Sequence, residues 1–246
     1  MMKWGVIGCG DIAVKRVFPA IQAQDQSELH AVSRRNADAL AGCAKAHGIP
    51  KTYSLWRDLC ADDDIDAVYV ATPVSLHAEQ AIAALEQGKH VLSEKPMAYD
   101  SGEARRMIDA ASAAGRHLAV AYYRRFYPMV ERIRILLAEG AIGTPVYVHA
   151  ENCEAIDPAP GEPRRWLLER ELSGGGPLMD MGCHRLDIFA YLFGERSRPL
   201  RAEMSRNILI DRDVEDTALV QMEFDTGCRA DLFCSHAVAE SRDSLD

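Results

Sequence analysis

The chain has 246 residues, 48% hydrophobic and 26% charged, which is enough apolar material for a packed core and argues against intrinsic disorder. Its 37 acidic residues outnumber 28 basic ones, for a formal net charge of −9. That balance argues against a nucleic-acid partner, which normally needs a basic face to neutralise phosphates. No apolar run approaches the roughly 18–20 residues of a membrane span. Met1-Met2-Lys3 runs straight into a strand-like stretch, with no charged-then-apolar leader. The seven cysteines are scattered and form no Cys-x-x-Cys pair, so neither a disulfide framework nor a zinc ribbon is expected. A reduced, cytoplasmic protein without membrane contact is the expectation.

In chain order, residues 4–7, 29–33, 67–71, 90–93 and 117–121 are short, mostly apolar runs bounded by turn residues. Between them, residues 12–23, 37–47, 76–87 and 103–114 carry helical patterns. Strands alternating with helices of this length predict βαβ units around a parallel sheet. Ser75 and Ser101 read as caps in front of two helices, and Gly48, Gly88 and Gly115 as the stops of three.

After residue 121 the texture changes. A helix over 127–139 and a strand over 145–152 are followed by a Pro- and charge-rich loop at 157–163, and Gly174-Gly-Gly-Pro177 opens another helix. Three strand-like runs follow, 201–210, 217–224 and 229–238, the last two joined by Asp225-Thr-Gly227 as an antiparallel pair. The fold predicted is α/β: a doubly wound parallel sheet over 1–121, then an α+β domain over 122–246.

Gly8-x-Gly10-x-x-Ala13 stands between the first strand and its helix. Gly8 permits a tight turn, Gly10 lets a pyrophosphate approach the backbone, and Ala13 lets the helix pack close to the sheet. An NAD site usually carries an acidic residue about 20 positions further on, for the ribose 2′-hydroxyl. Here the sequence reads Ser33-Arg34-Arg35. A hydroxyl and two guanidiniums suit a 2′-phosphate through charge-assisted hydrogen bonds, so NADP(H) is expected over NAD(H). Two solvated arginines in a loop are the bland alternative.

Ligands of open parallel sheets gather beyond the carboxyl ends of the strands. Ala71-Thr-Pro73 and Ser93-Glu-Lys95-Pro96 occupy two such ends, which puts Lys95 at the crevice unless it belongs to a charged surface turn. In the helix after the glycine run, about 100° per residue would align Asp180, His184, Asp187 and Tyr191 on one stripe. Gly182, Leu186, Phe189, Ala190 and Phe193 would oppose them. Asp180 and His184 read as a structural pair or as half of a metal site. Cys183 points away from His184, and no metal is expected.

These segments together resemble the Gfo/Idh/MocA oxidoreductases, named for glucose–fructose oxidoreductase and inositol dehydrogenase. The matching text is Gly8-Cys-Gly-Asp-Ile-Ala13, Ala71-Thr-Pro73 with His77, Gly88-Lys-His-Val-Leu-Ser-Glu-Lys-Pro96, and Gly174-Gly-Gly-Pro-Leu-Met-Asp-Met-Gly-Cys-His184-Arg-Leu-Asp187. The resemblance implies a Rossmann domain, a second domain with a large, mostly antiparallel sheet, and hydride exchange between a nicotinamide cofactor and a carbon of a sugar, cyclitol or polyol. It carries the catalytic lysine onto Lys95, the acid onto Asp180 and the histidine onto His184. His184 is then the general acid/base, Lys95 binds and polarises the reacting oxygen, and Asp180 orients substrate and imidazole. The two sets are expected to converge on one nicotinamide ring.

Cofactor contacts are expected from Gly8, Gly10, Asp11, Ile12, Ser33, Arg34, Arg35, Thr72, Pro73, His77, Glu94 and Lys95. Substrate contacts are expected from Lys95, Tyr122, Arg125, Trp166, Asp180 and His184; Arg125 reads equally as an ion-paired hinge, and Trp166 as a packing aromatic. Many relatives carry Asn after the Thr-Pro, where this chain has Val74. Family members run longer, so the second sheet is expected to be incomplete and to exposes an edge; homo-oligomerisation through that sheet is expected. A non-catalytic dinucleotide-sensing regulator on the same scaffold is the alternative function, against which retention of Lys95, Asp180 and His184 together argues.

Overall fold

The computed structural model describes residues 1–194 and 196–246. They form two compact units, Met1–Ala121 and Tyr122–Asp246. The first alternates β1 (Met2–Ile7), a π-helical stretch (Ala13–Val17) running into α1 (Phe18–Gln22), β2 (Ser27–Ser33), α2 (Ala37–His47), β3 (Lys51–Tyr53) and α3 (Trp56–Cys60). β4 (Ala67–Val70), α4 (His77–Glu86), β5 (His90–Ser93), α5 (Ser101–Ala114) and β6 (Leu118–Val120) complete it.

All six strands are parallel, in the order β3-β2-β1-β4-β5-β6. Parallel neighbours need a crossover, and the crossover helices cover both faces. Side chains alternate accordingly. Ile7, Val68 and Val70 pack with Leu85 and Met107 on one face, while Val6, Val32 and Tyr69 pack with Phe18 and Leu40 on the other. The strand order reverses between β1 and β4, where this architecture binds its ligands.

Two elements of this unit are additional to those the sequence predicts. β3 has only three residues, none fully buried, and depends on pairing with Ala31–Ser33 of β2; α3 is a five-residue turn. Both fall below the length at which periodicity can be read. The stops at Gly48 and Gly115 adopt left-handed φ of 64° and 60°, and Gly88 lies at φ 74°. The serine caps are displaced. Ser75 lies inside a 3₁₀ turn, Val74–Leu76, ahead of α4, and Ser101 is already helical because the Asp100 carboxylate accepts the Glu103 N–H at 2.8 Å.

The second unit contains α6 (Pro128–Ala138), β7 (Tyr147–Cys153), α7 (Arg170–Ser173), a π-helical turn (Leu178–Gly182) continuing into α8 (Cys183–Phe193), β8 (Ser197–Ser205), β9 (Thr217–Phe224), β10 (Arg229–Ser235) and β11 (Arg242–Leu245). Its sheet runs β11-β7-β10-β9-β8. Among the described residues only the β7–β10 pairing is parallel; the other three are antiparallel, and the Asp225-Thr-Gly227 link is the predicted tight hairpin, with Gly227 at φ 85°. Phe189 of α8 packs on Val148, Val220, Ala230 and Leu232 from one face of the sheet.

β8 is set earlier than the predicted run at 201–210. The Asp216 carboxylate accepts the N–H groups of Asn207, Ile208 and Leu209 at 2.8–3.0 Å, which turns that segment into a loop. The predicted run extends through Ile208 and Leu209, but a three-fold backbone clamp is the stronger constraint.

Candidate active site

The first unit gathers its predicted residues at the carboxyl ends of β1, β2, β4 and β5. Gly8 follows β1 with φ 94°, and a Cβ there would lie 2.5 Å from the Ala71 carbonyl oxygen. The turn therefore requires glycine for two reasons, backbone conformation and close approach. Gly10 is exposed, and a Cβ there would meet nothing within 4 Å. Packing does not demand that glycine. The bare backbone leaves open space in front of the helix, which fits the pyrophosphate of a dinucleotide.

Around this turn, Ser33 is 3% exposed and its carbonyl accepts the Gly8 N–H at 2.9 Å. Arg34 and Arg35 remain exposed. Arg34 Nη1 donates to the Cys9 carbonyl at 3.1 Å, which holds its guanidinium beside the glycine turn. Asp11 pairs with Lys15 one turn along, and Ile12 is 42% exposed.

Beyond β4 and β5, side chains tie the two strand ends together. Thr72 Oγ1 donates to Gln80 Oε1 at 2.7 Å. Tyr69 donates to Glu94 Oε1 at 2.6 Å, and Glu94 Oε2 accepts the Lys95 N–H at 3.1 Å. Buried His77 lies between the Thr72 carbonyl (2.8 Å from Nε2) and the Pro96 carbonyl (2.9 Å from Nδ1). Burial lowers the His77 pKa despite these two acceptors. His77 thus links the segment after Pro73 to the Lys95–Pro96 segment, whose peptide bond is cis. Lys95 is half-buried.

In the second unit, His184 is 5% exposed. The rings of Tyr122 and Tyr123 pack edge-on against it, with centroids 5.9 and 5.3 Å away. Burial, reinforced by Cys183 and Asp187, pushes the Tyr122 phenol well above its ordinary range. Arg125 forms a bidentate ion pair with Asp187, at 2.7 and 2.5 Å, which binds the 3₁₀ turn Tyr123–Phe126 to α8. Trp166 sits half-buried in a separate 3₁₀ turn, Arg165–Leu168.

The helix carrying Asp180 and His184 departs from the periodicity assumed for it. Residues Leu178–Gly182 form a π-helical turn, so the uniform 100° step does not hold between the two side chains. The preceding glycines have a steric origin: a Cβ at Gly176 would collide with the Glu215 carbonyl. Asp187 and His184 are buried, whereas Asp180 is half-buried. Asp180 Oδ2 lies 3.6 Å from Nε2 of His236, whose Nδ1 is 3.2 Å from Arg212 Nη1.

His236, Arg212, Tyr123 and Gln80 were not singled out from the sequence. A histidine closing a strand and an arginine in a loop carry no local signal. Only the Asp216 clamp and the β9–β10 register bring them to Asp180.

His30, Asp62 and Asp64 place ligand atoms within 4.8 Å of one another. The Lys51 ammonium already bridges the two carboxylates at 2.8 and 2.7 Å. A groove of about 580 Å³ in the second unit, lined by Leu137, Pro145, Leu192 and Phe193, contains none of the predicted site residues.

A parallel sheet in this strand order, with a glycine turn at its switch point and a lysine two residues beyond β5, defines a dinucleotide-binding domain of the oxidoreductase class. Residues 2–122 match the oxidoreductase family model with NAD-binding Rossmann fold, and 130–245 match the GFO/IDH/MocA C-terminal domain. The chain belongs to the Gfo/Idh/MocA family. It is 33% identical over 227 residues to the 1,5-anhydro-D-fructose reductase of Ensifer adhaerens, covering 92% of this chain and 67% of that protein. A 3-ketoreductase from Actinomadura kijaniata solved with NADP superposes with TM-score 0.89 at 29% identity, over 99% of this chain and 72% of that one. A levoglucosan dehydrogenase solved with NADH and levoglucosan gives TM-score 0.90 at 27% identity, over 99% and 70%. The chain spans about two thirds of the length of the curated relatives it matches.

Proposed function

We propose that this protein is an NAD(P)-dependent oxidoreductase that acts on a hydroxyl or carbonyl carbon of a sugar, cyclitol or related polyol, with NADP(H) preferred. The observation that carries this reading is the joint presence of Lys95 at the end of β5 and of Asp180 and His184 on one helix, in a family whose named relatives reduce or oxidise sugars. A bound nicotinamide supplies the hydride acceptor or donor.

The remaining chemistry belongs to the side chains. Lys95 binds the reacting oxygen and favours its negative charge as the proton leaves. His184 takes that proton in oxidation and returns it in reduction. Asp180 holds the substrate and the imidazole in register. The tyrosine rings around His184 keep water from its flanks. Arg34, held beside the glycine turn, and the exposed Arg35 receive the 2′-phosphate. The second sheet is assigned as the self-association surface, since β8 is exposed along nearly its whole length; light scattering should report a species larger than a monomer.

Titration with NADPH and NADH, followed by a turnover screen over aldoses, inositols and dihydrodiols, tests the reading. Tighter NADPH binding and turnover of at least one polyol are expected, with Arg34→Ala lowering the NADPH-to-NADH affinity ratio about tenfold. His184→Ala should lower kcat by about 10²- to 10⁴-fold. Binding without turnover would shift the assignment to a dinucleotide-sensing protein.

A further inference from the structure

We propose that His236 is a positioning residue for Asp180, its orientation imposed by the buried side chain of Arg212. The proposal rests on the reading of Asp180 as part of the active site. The Arg212 side chain is fully buried. Its Nη2 donates to the Ile156 carbonyl at 2.8 Å and to Asp157 Oδ1 at 3.1 Å. Its Nη1 faces His236 Nδ1 at 3.2 Å.

A guanidinium has donors and no acceptor. In that contact Nδ1 must accept, so the ring proton resides on Nε2. Nε2 is the atom 3.6 Å from Asp180 Oδ2. The imidazole therefore presents N–H, rather than a lone pair, to the carboxylate. A buried group presenting a lone pair to that carboxylate would repel it; the N–H attracts and orients it.

The histidine cannot easily turn away. Its backbone N–H donates to the Asp216 carbonyl at 2.8 Å, and its own carbonyl accepts the Ile156 N–H at 3.1 Å. Its side chain has no exposed surface. Arg212 is held in turn by the loop that Asp216 closes through three backbone N–H groups. The chain of contacts runs from the 156–157 segment through Arg212 and His236 to Asp180. It locates one carboxylate oxygen before substrate arrives, and the π-helical turn sets the other end of that residue.

The full chain labelled with [15N]histidine tests the orientation without requiring turnover. The His236 ring signals are identified by their absence in His236→Gln. A proton on Nε2, and a shift of the Nε2 resonance in Asp180→Asn, are expected. A proton on Nδ1, or no response to Asp180→Asn, would overturn the proposal. Turnover supplies the second arm, with NADP⁺ and whichever polyol the screen oxidises fastest. His236→Gln, whose amide can turn an N–H toward Asp180 while its oxygen accepts from Arg212, should keep kcat within about threefold, whereas His236→Ala should lower it about tenfold or more with the KM for NADP⁺ unchanged. Equal losses of kcat in both variants, tracking equal losses of Tm, would make His236 a packing residue and defeat the proposal. Wild-type turnover in Asp180→Asn would instead defeat the catalytic reading of Asp180, a result separable from the ring tautomer.

Discussion

Two glycines two residues apart do different work. At Gly8 a methyl group would combine a φ of 94° with a 2.5 Å approach to a backbone oxygen that cannot move aside. Gly8→Ala should therefore destabilise the first unit by about 2–4 kcal/mol, a backbone-strain cost plus a clash. Gly10 has open space where the methyl would go, so Gly10→Ala should stay within about 0.5–1 kcal/mol of wild type in a thermal melt while weakening NADPH binding. If both variants melt alike, the division between a structural and a ligand-facing glycine is wrong. His77 supplies a pH-dependent counterpart. Burial lowers its folded-state pKa below the ordinary 6.5. Below that value the unfolded chain binds the proton more readily than the folded one, so stability falls as pH drops from about 6.5 toward the folded pKa. The Tm should accordingly decline between pH 7.5 and 5.5, and His77→Gln should make the decline shallower; an unchanged slope would show that His77 does not contribute.

At the level of elements, the caps distinguish a reading by residue type from one by geometry. Ser101 has the right chemistry for an N-cap, but Asp100 occupies the extended position and accepts the Glu103 N–H. Asp100→Ala should cost about 1 kcal/mol, and Ser101→Ala less than half of that, as measured by urea denaturation; the reverse order would restore the serine. The same distinction explains which elements were legible. β4, with all four residues buried, and α2, whose predicted bounds coincide with Ala37–His47, carry patterns that local physics alone enforces. β11 reads Arg-Asp-Ser-Leu, with nothing strand-like in it. It exists because it pairs with β7, and because Asp243 is held by Arg124 and Arg185. The π-helical turn was illegible for a different reason. Any stripe drawn through Asp180 and His184 presumes 3.6 residues per turn, and the extra residue in Leu178–Gly182 breaks that phase. Residue type and motif single out both side chains as candidates, but not their relative angle. Arg125 shows the limit from the other side, since an arginine open to substrate and one engaged by Asp187 have identical local sequence.

The whole molecule divides the proposed chemistry between two units with separate cores. Every residue expected to touch the dinucleotide lies in Met1–Ala121, whereas Asp180, His184 and His236 lie in Tyr122–Asp246. Cofactor binding is therefore linked first to the folding of one unit. A ligand that binds only the folded form stabilises it by RT ln(1 + [L]/Kd), about 2.7 kcal/mol at a hundredfold excess over Kd. Hydrogen exchange on the full chain resolves where that free energy appears. NADPH should slow exchange at the glycine turn around Gly8 and Gly10, at Ser33–Arg35, and at the segments after β4 and β5 that His77 links. Subglobal opening of the parallel sheet should slow with them, since an amide protected by unit unfolding inherits the unit's added stability. The central strands β7, β9 and β10, which share their own core with Phe189, should exchange at the same rate with and without the cofactor. Equal added protection in both sheets would mean that the chain opens as one cooperative body, and the assignment of the binding free energy to the first unit would fall.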